Sequence, residues 1–367
     1  MRSNKIINIE VLRVLAVVAV ILIHMSMGHF HDKTLMVNDY SAWVMNNVYY
    51  TATRFCVPVF FIIAAYIAFN NKSSSTWVDK VIRIGLPYLF WSLIYFWYKS
   101  NDSMEVLELV KKTITSNTSF HLWFIPPFLG FVILLPAIRK IFGTDEDQKQ
   151  FRHLFVLLFI FSIILPSAIS ALNYFYGGYR FLSGLNNYGL TISGFLLYAF
   201  AFPYMSKRMR PTVGLAIYGL LIALNLVLNI SVSERLSKPN ESFYGYTTVL
   251  VFISSFVLFN SIMSIDFSCL RPFASKAIYA IGHCSFGIYL VHWLVFLVLN
   301  NNGLVFRGMM ILDPILNTLI VFLVSFAVIF AARKVKPLRY LCCLVSPPEF
   351  GGVFSFLHAI TSWKVIQ

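Results

Sequence analysis

Residues 9–28 read IEVLRVLAVVAVILIHMSMG, an almost unbroken apolar run interrupted only by Glu10, Arg13, His24 and a few small polar positions. About 20 consecutive, mostly apolar residues are enough for an α-helix to cross the hydrocarbon core of a bilayer. The run is therefore predicted to be a transmembrane helix. It carries three ionisable side chains, and each of them needs a reason to lie within a membrane.

Nine further apolar runs of comparable length follow along the chain. They are residues 49–69, 81–98, 121–142, 153–170, 187–205, 212–230, 245–264, 277–299 and 311–332. The runs are continuously apolar rather than alternating, which is typical of membrane-spanning helices. The sequence therefore predicts an all-α, polytopic membrane helical bundle of about ten transmembrane helices.

The composition supports this prediction. Of the 367 residues, 58% are hydrophobic and 12% are charged, whereas soluble domains average about 45–50% and about 25%. A soluble enzyme, a disordered chain and a secreted disulfide scaffold are all disfavoured. The five cysteines lack metal-ligand spacing, so we expect reduced structural thiols and no metal site.

The basic residues predict the orientation. With the N-terminus inside, the inner segments carry 20 Lys and Arg and the outer loops carry 8, which favours both termini in the cytoplasm. The net charge of +14 is explained in this way, and nucleic acid is not an expected partner. We divide the chain into a membrane domain, residues 1–333, and a cytoplasmic C-terminal tail, residues 334–367. Within that tail, residues 353–366 are predicted to form an amphipathic surface helix.

Arg13 and His24 share one face of the first helix. Eleven residues separate them, so they lie about 20° from eclipsed and about 16 Å apart along the axis. Glu10 is placed three residues before Arg13 and can pair with it. Taken singly, Arg13 could be an inner-face anchor that snorkels, and His24 could bond a neighbouring helix. Their common face favours a functional role for both.

Arg54 lies within the second predicted span, in the sequence RFCVPVFF of residues 54–61. Pro58 lacks an N–H group, so it leaves the carbonyl of Arg54 free and predicts a kink. A guanidinium cannot lose its proton at this depth and needs an anion or a polar cavity. At the inner face, Lys80 and Arg83 are either ordinary positive-inside charges or ligands for a phosphorylated molecule.

Four sequence blocks resemble the acyltransferase-3 family of integral-membrane acyltransferases, and most of all its compact bacterial members that O-acetylate polysaccharides. The blocks are residues 9–13 followed by ten residues and His24, residues 54–61, His121-Leu-Trp-Phe, and residues 285–292 (SFGIYLVH). Members of the family move an acyl group, usually acetyl, from cytoplasmic acyl-CoA to a carbohydrate hydroxyl at the outer face. The resemblance thus implies acetyl-CoA as donor, a surface or lipid-linked glycan as acceptor, and a bacterial inner membrane as location.

The resemblance also implies roles for individual residues. His24 matches the catalytic histidine, Arg13 matches an arginine at the CoA end, and Lys80 and Arg83 match a basic pair implicated in binding the CoA phosphates. Arg54 is expected to stabilise a developing oxyanion, and we group Glu10 with the catalytic residues. The expected substrate-binding residues are His121, Trp123, Tyr289 and His292. For Trp123 alone, an interfacial aromatic would be the simpler interpretation.

Two positions depart from the family pattern. Ala64-Ala65 stands where many members have Ser-Gly, and Lys80 stands where arginine is commoner. Two other functions remain open at this point: a secondary transporter or exporter of a lipid-linked sugar or small anion, and a sensor or assembly subunit with degenerate chemistry. Membrane lipid is an expected partner, and a homo-oligomer is compatible with the sequence.

Overall fold

The described part of the protein is built from α-helices. The computed structural model describes residues 2–70, 77–99, 118–176 and 194–342. Every regular element in these ranges is helical. The α-helices are α1 Arg2–His31, α2 Lys33–Asn38, α3 Tyr40–Ala52, α4 Cys56–Asn70, α5 Trp77–Lys99, α6 Ile125–Ile141, α7 Asp145–Gln150, α8 Arg152–Phe159, α9 Leu165–Tyr176, α10 Leu196–Met205, α11 Pro211–Leu236, α12 Val249–Met263, α13 Pro272–Asn301, α14 Asp313–Ala332 and α15 Lys336–Cys342. A 3-10 helix, Phe120–Phe124, precedes α6, and a π-helical turn, Ile160–Ile164, joins α8 to α9.

Within the described ranges, eight helical segments are long and apolar enough to cross a membrane, and α10 and α12 are shorter apolar helices. The predicted all-α polytopic bundle is confirmed, and these ten segments correspond to the ten predicted runs. The second span begins at Tyr40 rather than at residue 49, and residues 187–193 of the sixth predicted run lie outside the described residues. Residues 40–48 include two asparagines, which lower the local hydropathy although the helix buries both.

The first helix lies at the centre of the bundle. It packs most extensively against α13 and also contacts α3, α4 and α14. Many of its apolar side chains, among them Leu12, Ala16 and Val17, are fully buried, whereas Leu15 is 39% exposed. The polar side chains of Asn8, Glu10 and Ser26 are also buried, so they face other helices rather than lipid.

The second span is broken between α3 and α4, at Thr53–Phe55. Pro58 occupies the first turn of α4, where its missing N–H group costs little. The predicted kink is therefore present, and it is a full interruption of the helix. Arg54 lies in this break and is 7% exposed.

The beginning of the predicted tail is packed against the bundle. Helix α15 contacts α5 and α14, and Cys342 is buried. The predicted surface helix, residues 353–366, lies outside the described residues.

Candidate active site

Three histidines from distant parts of the sequence meet near one end of the bundle. His24 comes from α1, His121 from the 3-10 helix and His292 from α13. The rings of His24 and His292 are stacked with centroids 5.4 Å apart, and the ring of His121 meets that of His292 edge-on at 5.0 Å. We call these three residues the histidine cluster. In the part of the chain that the structure describes, no group of three His, Cys, Asp or Glu is placed to hold a metal ion.

Hydrogen bonds to backbone carbonyls fix two of the rings. His292 Nδ1 lies 2.6 Å from the carbonyl oxygen of Tyr289, and His121 Nε2 lies 3.4 Å from that of Leu290. Because a carbonyl can only accept, both nitrogens are assigned as protonated donors. His121 Nδ1 then accepts from the hydroxyl of Ser119 at 3.1 Å.

His24 is the accessible member of the histidine cluster. His121 and His292 are 1% and 0% exposed, whereas His24 is partly exposed. The rings of Phe120 and Trp293 meet it edge-on at 5.1 and 6.0 Å. Among the described residues, none hydrogen-bonds its buried Nδ1. The ring is thus held by aromatic contacts and keeps its nitrogens available for chemistry.

Tyr95 of α5 hydrogen-bonds the backbone of α13 next to the histidine cluster. The buried Tyr95 hydroxyl donates to the carbonyl of Leu290 and accepts from the N–H of Leu294, both at 2.9 Å. A side-chain hydroxyl between two such backbone groups fixes the helix that carries His292.

Arg54 lies in a cage of tyrosines with one acidic partner. Its guanidinium carbon is 4.0, 5.3 and 5.4 Å from the ring centroids of Tyr50, Tyr244 and Tyr246. Its Nη2 donates to Glu241 Oε2 at 3.2 Å. Burial raises the pKa of the Tyr244 and Tyr246 hydroxyls, which lie outside the spans. Glu241 therefore carries the negative charge beside Arg54, and Arg54 itself lies near enough to His24 to interact with it electrostatically.

Trp123 belongs to the wall of this cage. Its ring stacks on Tyr246 with centroids 5.7 Å apart and packs against Phe195 at 6.1 Å. It therefore supports a tyrosine that contacts Arg54, and it is not simply an aromatic residue at the interface.

A cavity of about 380 Å³ lies on the side of the histidine cluster that faces away from Arg54, and it leads toward Arg13. Arg13, Lys80 and Arg83 line this cavity at the end of the bundle that we call the basic end. Tyr289 lines its inner part, together with apolar side chains of α4 and α6. The Tyr289 hydroxyl donates to the carbonyl of His121, so this residue connects the lining of the cavity with the histidine cluster.

The structure does not bring Glu10 to the other residues that we group as catalytic. Glu10 lies at the basic end, where Oε1 accepts from Arg13 at 2.8 Å and Oε2 is 3.9 Å from His283 Nδ1. Fourteen residues of helix separate it from His24, a rise of about 21 Å. Glu10 packs against Gly282 of α13. Its carboxylate is placed to orient Arg13.

Some residues of the site were not identified from the sequence, namely Glu241, Tyr95, Tyr246 and His283. A buried arginine requires a nearby anion, so a search for acids in the loops predicted to lie outside would have brought up Glu241. Tyr95 and Tyr246 carry no comparable sequence signal. His283 lies one residue after Gly282 and lines the cavity, but the resemblance gave it no role.

The comparisons with known proteins place the chain in a family. A family model described as an acyltransferase domain matches residues 6–334, a range that contains every site residue named above. No curated protein and no solved structure matches the chain. Together with eight candidate membrane spans in the described ranges, the match identifies a multi-pass membrane acyltransferase. The chain belongs to the acyltransferase-3 family.

Proposed function

We propose that the protein is an O-acyltransferase of a bacterial inner membrane. It moves an acetyl group from cytoplasmic acetyl-CoA to a carbohydrate hydroxyl at the outer face, on a surface or lipid-linked glycan. The observation that carries the proposal is the cavity that joins three cations at the basic end to Tyr289, which adjoins the histidine cluster.

The cavity suits the two halves of the donor. Arg13, Lys80 and Arg83 offer charge-assisted hydrogen bonds to phosphates, and the apolar lining suits the pantetheine arm. That arm, on the order of 15–20 Å long, matches the rise of about 16 Å between Arg13 and His24 on α1. With the basic end facing the cytoplasm, as the distribution of Lys and Arg predicts, the thioester would approach His24 from below.

The proposed reaction needs one base. His24 accepts the proton of the acceptor hydroxyl while that oxygen attacks the thioester carbonyl carbon. The carbon–sulfur bond then breaks, and the CoA thiolate leaves and recovers the proton from His24. Arg54 provides positive potential for the oxyanion that forms between these steps. A route in which His24 first takes the acetyl group and then passes it on would use the same residues.

The acceptor would approach from the end opposite the basic end. The partly exposed rings of Phe120 and Trp293 border His24 there and offer stacking surfaces for a sugar. His121, His292 and Tyr289 are buried, so we assign them to holding His24 and the thioester. The sequence resemblance extends to compact bacterial members such as the O-acetyltransferase that acts on enterobacterial common antigen, and that glycan is a first acceptor to test.

The test uses inside-out membrane vesicles from expressing cells, supplied with acetyl-CoA that is radiolabelled in the acetyl group. We expect alkali-labile label on envelope carbohydrate, together with free CoA released in equal amount. Vesicles without the protein are the control. A transporter would instead move a sugar or anion without consuming acetyl-CoA, and that outcome would overturn the proposal.

A further inference from the structure

The counter-ion of Arg54 is Glu241, which lies 187 residues away in the sequence, in the loop between two later helices. Glu241 belongs to residues 237–248, which join α11 to α12. We call these residues the α11–α12 loop. The Arg54 side chain is 8% exposed, whereas that of Glu241 is 51% exposed. The ion pair therefore reaches from the buried site to the surface at the outer end of the bundle.

The α11–α12 loop is fixed in place by buried polar side chains. Asn229 Oδ1 accepts from the N–H of Phe243 at 3.1 Å, and Ser233 Oγ accepts from that of Asn240 at 3.0 Å. Both anchors lie on α11 and are fully buried. Buried polar groups that are satisfied in this way hold one backbone conformation, so the loop presents Glu241 at a defined position.

A second set of bonds ties the loop to α3. The Tyr244 hydroxyl donates to Asn47 Oδ1 at 2.9 Å and accepts from Thr51 at 2.6 Å. Tyr50 donates to Glu241 Oε2 at 3.0 Å, and its ring lies under the guanidinium of Arg54. Tyr50 therefore contacts both members of the ion pair.

The pair leaves part of the guanidinium free. Arg54 uses Nη2 for Glu241, and no described residue accepts a hydrogen bond from its buried Nε. A guanidinium presents five donors in a planar, fixed fork, so a bond at one edge determines where the other edge points.

We infer that Glu241 is a positioning residue, which holds the guanidinium of Arg54 in the orientation that serves the reaction at His24. The inference rests on the proposed acyl transfer. Without the carboxylate, the guanidinium keeps its tyrosine contacts but loses the bond that fixes its rotation. The chemical step should then suffer, while donor binding at the distant basic end should not.

The experiment compares Glu241→Gln, Glu241→Asp and Glu234→Gln in the vesicle assay with labelled acetyl-CoA. Glu234 is the matched control, because it is exposed, lies near the end of α11 and accepts a hydrogen bond from Tyr40 at 2.5 Å without contacting Arg54. We expect Glu241→Gln to lower kcat at least tenfold with the KM for acetyl-CoA unchanged. Glu241→Asp should recover part of that loss, and Glu234→Gln should match the wild type.

Thermal unfolding in detergent shows whether each variant is folded. If Glu241→Gln does not fold, Glu241→Asp carries the test, since its shorter carboxylate keeps the charge but is drawn back from Arg54 Nη2; a smaller fall in kcat with an unchanged KM for acetyl-CoA is then expected, and a wild-type kcat would overturn the inference. Equal kcat for wild type, Glu241→Gln and Glu234→Gln would overturn the inference while leaving the proposed function intact. A wild-type protein that transfers no acetyl group would overturn both.

Discussion

The imidazole ring of His24 lies against that of His292 with an angle of 17° between their planes. His292 is itself held by its bond to the Tyr289 carbonyl. The orientation of the partly exposed His24 is thus set by the buried His292, which is held in turn by the backbone of α13. A base in such a fixed pose can meet its substrate without reorganising.

Replacing His24 by alanine should abolish acetyl transfer. A positioned general base contributes about 10²–10⁴-fold to a rate, and a histidine that takes the acetyl group contributes at least as much. The measurement is labelled acetate on envelope carbohydrate, with thermal unfolding as the test of folding. His29→Ala, five residues further along α1, is the control and should retain activity. Full acetylation by the His24 variant would refute its role.

Replacing Tyr95 by phenylalanine should weaken both the fold and the reaction. The hydroxyl bonds two backbone groups of α13, and a buried polar group left unpaired costs about 1–3 kcal/mol. We expect the unfolding temperature to fall by a few degrees and kcat to fall with it. Tyr98 is the matched control, because its hydroxyl accepts a hydrogen bond from Asn301 at an exposed position one turn along α5. If the two Tyr→Phe variants behave alike, the hydroxyl of Tyr95 has no special role.

Replacing Gly282 by alanine should disturb the basic end alone. A Cβ at this position would lie 2.1 Å from Glu10 Oε2, so Glu10 would have to move and would release Arg13. We expect the KM for acetyl-CoA to rise several-fold.

Gly85→Ala is the control for this substitution, since no described atom lies within 4 Å of the Cβ it would add. It should leave KM unchanged and stabilise α5 by up to about 1 kcal/mol. A Gly282→Ala variant with the wild-type KM would contradict the proposed role of Glu10.

Replacing Lys80 or Arg83 by alanine should weaken donor binding without changing the reaction at His24. A hydrogen bond to a charged group contributes about 1.5–3 kcal/mol, so we expect the KM for acetyl-CoA to rise about tenfold or more. Added salt should raise the wild-type KM and affect each variant less, because one screened contact is already missing. The exposed Lys149 provides the control substitution. Salt dependence identical in wild type and variants would argue against a phosphate contact.

The positions of the spans could be predicted because membrane-spanning helices are specified locally, by the length and hydropathy of one run. The same holds for the shared face of Arg13 and His24, which follows from helical periodicity. A distortion of the helix beside Arg54 was also predictable. Pro58 follows four residues later and has no N–H group to bond the carbonyl of Arg54, so the helical hydrogen-bond ladder cannot be continuous there.

The contacts between helices could not be predicted in this way. Glu241 is 187 residues from Arg54 and Tyr95 is 195 residues from Leu290, and no local pattern records such pairs. Glu10 is a different case. Its spacing predicted the pair with Arg13, which the structure contains, whereas its grouping with the catalytic residues stays a prediction, and the rise of the helix keeps it about 21 Å from His24.

The bond between Tyr289 and the backbone of His121 has a consequence for the cell. When an acyl group is transferred from one side of a membrane to the other, the membrane must still maintain its electrical potential and its proton gradient. Tyr289 lines the cavity and is bonded to the backbone beside the histidine cluster, so in the proposed reaction it would narrow the path open to water and ions where the donor's arm meets the reaction centre. Such a side chain would allow the proposed transfer from a cytoplasmic donor to the outer face without loss of the proton gradient.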